Sequence, residues 1–203
     1  MLKLIYGWAL ISKIGFAYDQ LGCKEHKENT MPPKALIIVD MLNDFIDENG
    51  ALYCGDTVSP IVPFIQQRLK SFRDRSDLVI HLQDSHDEDD KEFEKFPKHS
   101  VTGSWGSEII KGLAPLPGET VLPKKRFSGF FRTGLEDVLA SAGVEEAEVV
   151  GVCTSICVMD TVGGLVNRDY KVNVPIKGVA DFDPEAHQFS LKRMEKIYGA
   201  DIS

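Results

Sequence analysis

Short apolar segments alternate with helical patterns along residues 35–199, and this alternation restricts the fold more than any other feature of the sequence. The segments ALIIVD (35–40) and AEVVGV (147–152) are almost uninterrupted in apolar character, as in strands buried on both faces. We predict strands at residues 35–40, 78–83, 119–124, 147–152 and 171–176, and helices at residues 59–77, 106–113, 133–143, 155–170 and 183–199. Such alternation produces a mostly parallel central sheet with helices on both faces, so we predict a three-layer αβα fold of the α/β class.

Several predicted helices carry residue types that favour a helix start. Ser59 and Asp183 each precede a proline at the first helical position, where the missing N–H group is tolerated. Thr133 and Glu136 have the spacing of a capping box. We expect the corresponding helices to begin at these residues.

The first 30 residues do not continue the pattern. Residues 1–18 are apolar but are interrupted by Lys3 and Lys13, so they fall short of the roughly 18 uninterrupted apolar residues that span a membrane. We predict an N-terminal extension of unknown role at residues 1–30, poorly ordered or preceding the true start codon, and one folded domain at residues 31–203. An export signal and an extra helix that docks on the domain are the alternatives.

Charge and cysteine content restrict the partners and the compartment. A formal net charge of -8 disfavours nucleic acid and anionic membranes as partners. Four cysteines in 203 residues do not form a disulfide framework. We expect a cytoplasmic protein that acts on a small molecule and has no nucleic-acid or membrane partner, and we also expect a homo-oligomer.

Reactive side chains collect at the ends of the predicted strands. Asp40, Asp84, Lys124, Cys153 and Cys157 all lie at or just past a strand end. Ligands of open α/β sheets bind at the carboxyl ends of the strands. These five residues are therefore candidates for one site.

Cys157 is the candidate nucleophile, and Cys153 is a candidate structural residue. Cys157 falls in the first turn of a predicted helix, where free N–H groups and the helix dipole favour a thiolate. Cys153 still belongs to the strand end. The spacing alone leaves open that both are small buried side chains. A redox pair would prefer the spacing CxxC, and a zinc site would need further cysteine or histidine nearby.

Asp40 and Lys124 could assist such a thiol. A carboxylate at the end of the first strand could accept the thiol proton and later pass it to a leaving amine. A cation at the end of the third strand would favour the thiolate, and only one of Lys124 and Lys125 can face the site, because neighbouring strand residues point to opposite faces. A capping role for Asp40 and a solvated lysine are the alternatives.

Three segments resemble the signature segments of the isochorismatase-like cysteine hydrolases. They are ALIIVDMLNDF (35–45), VLPKKRFSGF (121–130) and GVCTSICV (151–158), and the resemblance extends over about residues 35–202. Their order, spacing and position at strand ends carry it. The resemblance implies an isochorismatase-like, Rossmann-like fold.

The resemblance also implies roles for individual residues. Asp40 would be the catalytic aspartate, Lys124 the catalytic lysine at the start of a K-x-R-[FY]-S-x-F segment, and Cys157 the nucleophile. A cis peptide bond would join Val152 and Cys153. The N–H groups of Cys153 and Cys157 would then form the oxyanion hole.

The loop after the second strand offers a set of metal ligands. Asp84 and His86 present two ligands on one side of an extended segment, and Glu92 and His99 follow within reach. Two imidazoles and two carboxylates suit one divalent transition metal ion, with zinc preferred and manganese or iron as alternatives. The spacing from Glu92 to His99 resembles that in nicotinamidases with a glutamate ligand, and Glu94 is a rival for this position.

The same loop resembles the nicotinamidase branch of the family. FPKHSVTGSWG (96–106) is similar to the nicotinamidase pattern FPxHC-x-x-G-[ST]-x-G, with Ser100 in place of the cysteine. The resemblance implies that Phe45 and Phe96 form aromatic walls for a flat substrate ring, and ordinary packing is the alternative for both.

The resemblance thus implies a metal-dependent nicotinamidase. Such an enzyme hydrolyses nicotinamide to nicotinate and ammonia through a cysteine thioester, a reaction of NAD salvage. The alternatives are a family member that hydrolyses another amide or a ureide without metal, and a catalytically inactive binding member.

Overall fold

The structure is a computed structural model that describes residues Pro32–Ser203. The predicted extension at residues 1–30 lies outside the described residues and stays a prediction. Within residues 32–203, no helix is long and apolar enough to cross a membrane.

Seven strands form one central sheet. The strands are β1 (Lys34–Val39), β2 (Leu78–Asp84), β3 (Thr120–Lys124), β4 (Glu146–Val152), β5 (Lys171–Val174), β6 (Val179–Ala180) and β7 (Asp201–Ile202). They lie in the order β3-β2-β1-β4-β5-β7, and β6 pairs with the end of β4. All of these pairings are parallel, which confirms the predicted α/β class.

Helices and short helical turns connect the strands. The α-helices are α1 (Asn43–Ile46), α2 (Ile61–Asp74), α3 (Leu135–Ser141), α4 (Met159–Val166) and α5 (Pro184–Arg193). A π-helical turn, Thr154–Val158, leads into α4, and a second one, Met194–Tyr198, follows α5. Short 3-10 turns occupy Asp56–Val58, Lys91–Glu94, Trp105–Ser107, Lys111–Leu113 and Ile176–Gly178.

The two faces of β1 contribute to two separate cores. Ala35, Ile37 and Val39 belong to a core that α3, α4 and α5 cover. Leu36 and Ile38 belong to a core that α1 and α2 cover. A strand that is apolar on both faces therefore lies in the middle layer, as the predicted αβα arrangement requires.

The predicted helix at residues 106–113 is wrong, because this segment forms two 3-10 turns. The N–H of Ile110 donates to the carbonyl of Met41 at 3.0 Å, and the carbonyl of Glu108 accepts from the N–H of Asn43 at 3.0 Å. These long-range backbone bonds replace those of a continuous helix, and the local sequence gives no sign of them.

Two predicted helix starts have different outcomes. The carboxylate of Asp183 accepts from the N–H groups of Glu185 and Ala186, so the predicted cap of α5 is confirmed. Ser59 does not cap α2, which begins at Ile61 and has no side-chain hydrogen bond at its start.

Two further expectations need correction. The capping box does not form, because Thr133 Oγ1 accepts from the N–H of Leu135 while Glu136 pairs with Arg168 at 2.8 Å. The fifth strand ends at Val174, since the proline that follows has no N–H group with which to extend the ladder.

Gly151 lies opposite Val39, where β4 pairs with β1. Its φ is 118°, and a Cβ atom at this position would lie 2.0 Å from the carbonyl oxygen of Val39. We expect Gly151→Ala to lower the free energy of unfolding, measured by urea denaturation, by about 3 kcal/mol or more, because both backbones belong to the ladder and cannot move apart freely.

Gly118→Ala provides the control for this prediction. Gly118 has a φ of 95°, but a Cβ atom there would meet no atom within 4 Å. The control should therefore cost about 1 kcal/mol, from backbone strain alone. If both variants lost the same free energy of unfolding, a specific requirement for glycine at position 151, beside Val39, would be contradicted.

Candidate active site and metal centre

Four adjacent strands bring the predicted catalytic residues to one edge of the sheet. Asp40 follows β1, Asp84 ends β2, Lys124 ends β3, and Cys157 lies in the π-helical turn after β4. All four side chains are buried. Parallel strands thus gather groups that are far apart in the sequence.

The ammonium group of Lys124 lies at the centre of this cluster. Its Nζ is 2.8 Å from Oδ2 of Asp40 and 2.5 Å from Oδ1 of Asp84. The same atom lies 3.4 Å from Sγ of Cys157. Lys125 is exposed and pairs with an aspartate of the neighbouring loop. Lys124 is therefore the lysine that faces the site.

The backbone directs the Asp40 carboxylate into the cluster. Asp40 has a φ of 50°, so the chain turns sharply where β1 ends. Its N–H donates to the carbonyl of Leu82 at 3.0 Å, and its Oδ1 accepts from the N–H of Asp84 at 2.9 Å. A carboxylate oxygen of Asp40 lies within 4.8 Å of Sγ of Cys157. A small movement of either side chain would allow a proton to pass between them.

Burial and neighbouring charges determine the protonation states. Burial raises the pKa of Asp40 to about 6, Asp84 adds to this effect, and Lys124 opposes it. Burial lowers the pKa of Lys124, but the attraction of Asp40 and Asp84 outweighs burial and keeps the ammonium charged.

Burial also raises the pKa of the Cys157 thiol well above its ordinary value, although the charge of Lys124 favours the thiolate. Burial thus opposes the preference for a thiolate that a helix start provides, and it favours the protonated thiol beside the carboxylate of Asp40.

The start of the turn that carries Cys157 is fixed by hydrogen bonds. The N–H of Ser155 donates to the carboxylate of Asp181 at 2.6 Å, and the hydroxyl of Thr154 donates to the carbonyl of Ala180 at 3.0 Å. Both acceptors lie in or just after β6, which pairs with β4. Sequence reasoning missed Asp181, because its role depends on this pairing.

Cys153 directly precedes the same turn. The peptide bond between Val152 and Cys153 is cis, as the resemblance implied. Sγ of Cys153 lies 3.2 Å from Sγ of Cys54, and both thiols are buried and free. This packing fits a structural role for the Cys153 side chain. The oxyanion-hole role of the Cys153 and Cys157 N–H groups stays a prediction.

The four predicted metal ligands converge beside the catalytic cluster. Nε2 of His86 lies 3.6 Å from Oδ2 of Asp84 and 3.9 Å from Oε1 of Glu92. Nε2 of His99 lies 3.8 Å and 3.9 Å from the same two oxygens. These separations are too long for hydrogen bonds. Ligand atoms of Asp84, His86 and His99 all lie within 4.8 Å of one another, close enough to share one ion, and Glu92 lies beside both histidines but outside this group of three.

The hydrogen bonding of the two histidines fits a divalent cation. Nε2 of His86 is buried and has no hydrogen-bond partner among residues 32–203. Nδ1 of His99 contacts the carbonyl of Pro97 at 2.7 Å, which leaves its Nε2 atom directed toward Asp84. A buried nitrogen without a partner is unfavourable, and a metal ion would satisfy it.

Asp84 joins the catalytic cluster to the metal ligands. Its Oδ1 contacts Lys124, and its Oδ2 faces His86 and His99. Burial alone would raise the pKa of Asp84, but the charge of Lys124 and the contacts with the two histidines hold it well below its usual range. The carboxylate is therefore ionised, as a metal ligand must be.

The geometry favours Glu92 over Glu94 as the fourth ligand. Both residues lie in the 3-10 turn Lys91–Glu94. The Glu94 side chain is exposed, whereas that of Glu92 is 8% exposed and faces both histidines.

A pocket with aromatic walls opens beside these groups. Asp40, Cys157 and His99 border it. The predicted walls Phe45 and Phe96 both line it, and their rings pack edge-on against His99 at centroid distances of 5.5 Å and 6.3 Å. The pocket therefore suits a small, flat ligand with a polar group directed at the thiol.

Sequence reasoning missed three residues near this pocket. Phe127 and Phe182 also line it, and the fold alone brings them there. Asp44 is buried, and its carboxylate accepts from the N–H of Ser100 at 2.6 Å, which holds the end of the loop that carries the predicted metal ligands. Gly106 leaves the space that this carboxylate occupies, because a Cβ atom at position 106 would lie 2.0 Å from it.

Comparison with known proteins identifies the family. The pattern of the isochorismatase domain matches residues 34–203. The chain therefore belongs to the isochorismatase family, and the resemblance of its three signature segments is confirmed.

The relatives are more specific. The uncharacterized isochorismatase family protein PncA of Bacillus subtilis is 34% identical over 180 residues, which cover 84% of this chain and 98% of the relative. A crystal structure of nicotinamidase/pyrazinamidase PncA from Bacillus subtilis has a TM-score of 0.80 and 34% identity, and the match covers 84% of this chain and 99% of that chain.

Two other relatives bear on activity and metal. A protein of Arabidopsis thaliana described as a probable inactive nicotinamidase is 33% identical over 174 residues, which cover 80% of this chain and 88% of the relative. A crystal structure of pyrazinamidase of Pyrococcus horikoshii in complex with zinc has a TM-score of 0.79 at 26% identity, and the match covers 85% of this chain and 99% of that chain.

Proposed function

We propose that this protein is a metal-dependent nicotinamidase that hydrolyses nicotinamide to nicotinate and ammonia. Its relatives at about 34% identity indicate an amidohydrolase. One observation carries the finer assignment. The carboxylate of Asp84 contacts Lys124 of the catalytic cluster with one oxygen and faces the two histidines with the other. The nucleophile and the metal ligands thus belong to one site.

Proton transfer and nucleophilic attack follow from the catalytic cluster. Asp40 accepts the thiol proton of Cys157, and the resulting thiolate attacks the carboxamide carbon. The charge of Lys124 stabilises the negative charge that develops, and the N–H groups of Cys153 and Cys157 receive the oxyanion.

The second half of the reaction reverses the proton transfer. The protonated Asp40 donates to the leaving nitrogen, so ammonia departs and a thioester to Cys157 remains. Asp40 then deprotonates the water that attacks the thioester, which releases nicotinate and restores the thiol.

The metal ligands and aromatic walls would position the substrate. Asp84, His86, Glu92 and His99 would hold one divalent ion, preferably zinc, which when bound supplies a Lewis acid for the pyridine nitrogen. The rings of Phe45 and Phe96 confine the flat pyridine, so that the carboxamide faces the thiol in an oriented, effectively unimolecular step.

A specific observation supports a second candidate function. One relative, from Arabidopsis thaliana, is described as a probable inactive nicotinamidase, so an inactive binding member is the alternative. The contacts of Lys124 with both Asp40 and Cys157 favour catalysis. The cytoplasmic location and the homo-oligomeric state stay predictions from the sequence.

A substrate panel tests the proposed function. The purified protein is assayed with nicotinamide, pyrazinamide, isochorismate and a ureidoacrylate, and its metal content is determined in parallel. We expect about one equivalent of a divalent transition metal and a kcat/KM for nicotinamide that exceeds those for isochorismate and the ureidoacrylate by at least about 100-fold, since one buried ligand contact that only nicotinamide makes is worth several kcal/mol. A metal-free protein that prefers a ureide would contradict the proposal, and a protein that turns over none of the four would favour the inactive alternative.

The pH dependence of hydrolysis should report the base and not the thiol. Burial raises the pKa of Asp40 to about 6, and Asp40 must be ionised to accept the proton. We expect kcat/KM to fall about tenfold per pH unit below this pKa and to stay level from about pH 7 to 9. A bound metal ion would lower the pKa of Asp40, because its charge favours the carboxylate. The pH below which kcat/KM falls would then move only to lower values. A continuous rise of kcat/KM from pH 7 to 9 would contradict the account, since it would show that Cys157 loses its proton to solvent.

A further inference from the structure

Asp90 is a buried carboxylate that contacts two of the four proposed metal ligands. Its side chain is 5% exposed. Its Oδ2 lies 3.2 Å from Nδ1 of His86, and its Oδ1 accepts from the N–H of Glu92 at 2.9 Å. The spacing of the predicted metal ligands along the sequence does not predict either contact.

The contact with His86 fixes which ring nitrogen carries a proton. Nη1 of Arg126 lies 3.0 Å from both oxygens of Asp90, so Asp90 is an ionised carboxylate that can only accept hydrogen bonds. Nδ1 of His86 must therefore be the donor. The lone pair of a neutral His86 is then on Nε2, the buried atom that faces Asp84 and Glu92. This is the tautomer that binds a metal through Nε2.

The contact with Glu92 fixes the position of the fourth ligand. Asp90 caps the 3-10 turn Lys91–Glu94, because its side chain accepts from the N–H of the second residue in that turn. The turn directs Glu92 toward the histidines and leaves Glu94 exposed. Loss of the cap would release the turn as well as the His86 ring.

We propose that Asp90 is a positioning residue that holds His86 and Glu92 in their metal-binding arrangement. Asp90 is not itself a ligand, because it contacts Nδ1 of His86, the ring nitrogen directed away from Asp84. Arg126 anchors Asp90 from the segment after β3. The inference rests on the proposed function, since it requires that the site binds a metal ion.

Zinc affinity of the full chain tests the role of Asp90. Dissociation constants are measured by chelator competition for the wild type, Asp90→Ala, Asp90→Asn and the control Asp89→Ala. Asp89 is exposed and lies in the same acidic loop, so its replacement removes the same charge. We expect Asp90→Ala to bind zinc about 10–100-fold more weakly and Asp89→Ala to match the wild type. Asp90→Asn should be intermediate, because it keeps one acceptor oxygen.

The ring tautomer of His86 gives a second readout, which a general loss of stability would not change. Nitrogen NMR of the chelated proteins at alkaline pH, where the ring is neutral, should show the proton on Nδ1 in the wild type and mainly on Nε2 in Asp90→Ala. Equal melting temperatures of chelated wild type and variant establish that both are folded. If Asp90→Ala does not fold, the zinc affinity of Asp90→Asn is the test, because this variant loses the charge of Asp90 but can keep the Nδ1–H tautomer.

The outcomes separate this inference from the proposed function. If the wild type binds zinc and hydrolyses nicotinamide, while folded Asp90 variants bind zinc equally well and keep the Nδ1–H tautomer, the role of Asp90 is refuted and the proposed function stands. If the wild type binds none of zinc, manganese and iron, the proposed function and this inference both fail.

Discussion

Cys157→Ala should lower kcat for nicotinamide by at least about 10⁴-fold, because the Cys157 thiol contacts Lys124, whereas Cys153, the other cysteine that lines the pocket, packs against Cys54. The ion pair between Asp40 and Lys124 remains in this variant but has no thiol to activate. Ammonia release measures the rate, and circular dichroism establishes that the fold is retained.

Cys153→Ala is the matched control for this experiment. Its side chain packs against Cys54 and not against the ammonium of Lys124. Its proposed catalytic contribution is a backbone N–H group, which the substitution keeps. We expect a folded protein with at least part of the activity. If Cys153→Ala abolished turnover while Cys157→Ala did not, the assignment of the nucleophile would be reversed.

Glu92→Ala should weaken zinc binding by at least about 100-fold, because the three remaining ligands cannot complete the coordination shell. Hydrolysis of nicotinamide should be lost with the metal, mainly through poor substrate binding. Glu94→Ala is the control, since Glu94 lies in the same turn but is exposed, and it should retain about one equivalent of metal. The opposite result would assign the fourth ligand to Glu94.

Removal of the metal should leave the protein folded. Apolar side chains on the two faces of the sheet form both hydrophobic cores, and among the ligands His99 packs against the core residue Phe45, so most of the packing does not depend on the ion. The chelated wild type should therefore melt below the metal-loaded protein only by the amount that the loss of a bound ion causes through mass action. A cooperative loss of structure on chelation would contradict this view of the site.

The elements that the sequence predicts best are those whose pattern depends on burial in the sheet. The apolar runs of β1 and β4 were recognisable because both faces of these strands are covered. Strand ends then located Asp40, Lys124 and Cys157, since parallel strands bring their carboxyl ends to one edge.

The parts that could not be predicted depend on contacts between distant residues. The segment 106–113 does not form a continuous helix, because its backbone groups form hydrogen bonds with residues near the end of β1. Strand β6 has 2 residues, too few to leave a pattern, and its pairing with β4 places Asp181 beside the turn of Cys157. The contacts of Asp44 and Asp90 are likewise long-range or depend on loop geometry, so acidic residues that hold the site resemble solvated ones in the sequence.

The protonation state of Cys157 also depends on burial. The position of Cys157 near a helix start suggested a thiolate, but burial has the larger effect and keeps the proton on sulfur. The proposed reaction therefore needs a base for that proton, which is the role that the sequence analysis predicts for Asp40.

The most direct test of the central claim is a cycle of chelation and zinc addition, followed by quantification of both products. Wild-type protein is assayed with nicotinamide as purified, after complete removal of metal, and after addition of one equivalent of zinc, with nicotinate measured by NMR and ammonia by a coupled assay. The account predicts equal amounts of nicotinate and ammonia from the metal-loaded protein, loss of both after chelation, and recovery of both with zinc. Unchanged turnover after complete chelation, or no nicotinate from fully loaded protein, would contradict it.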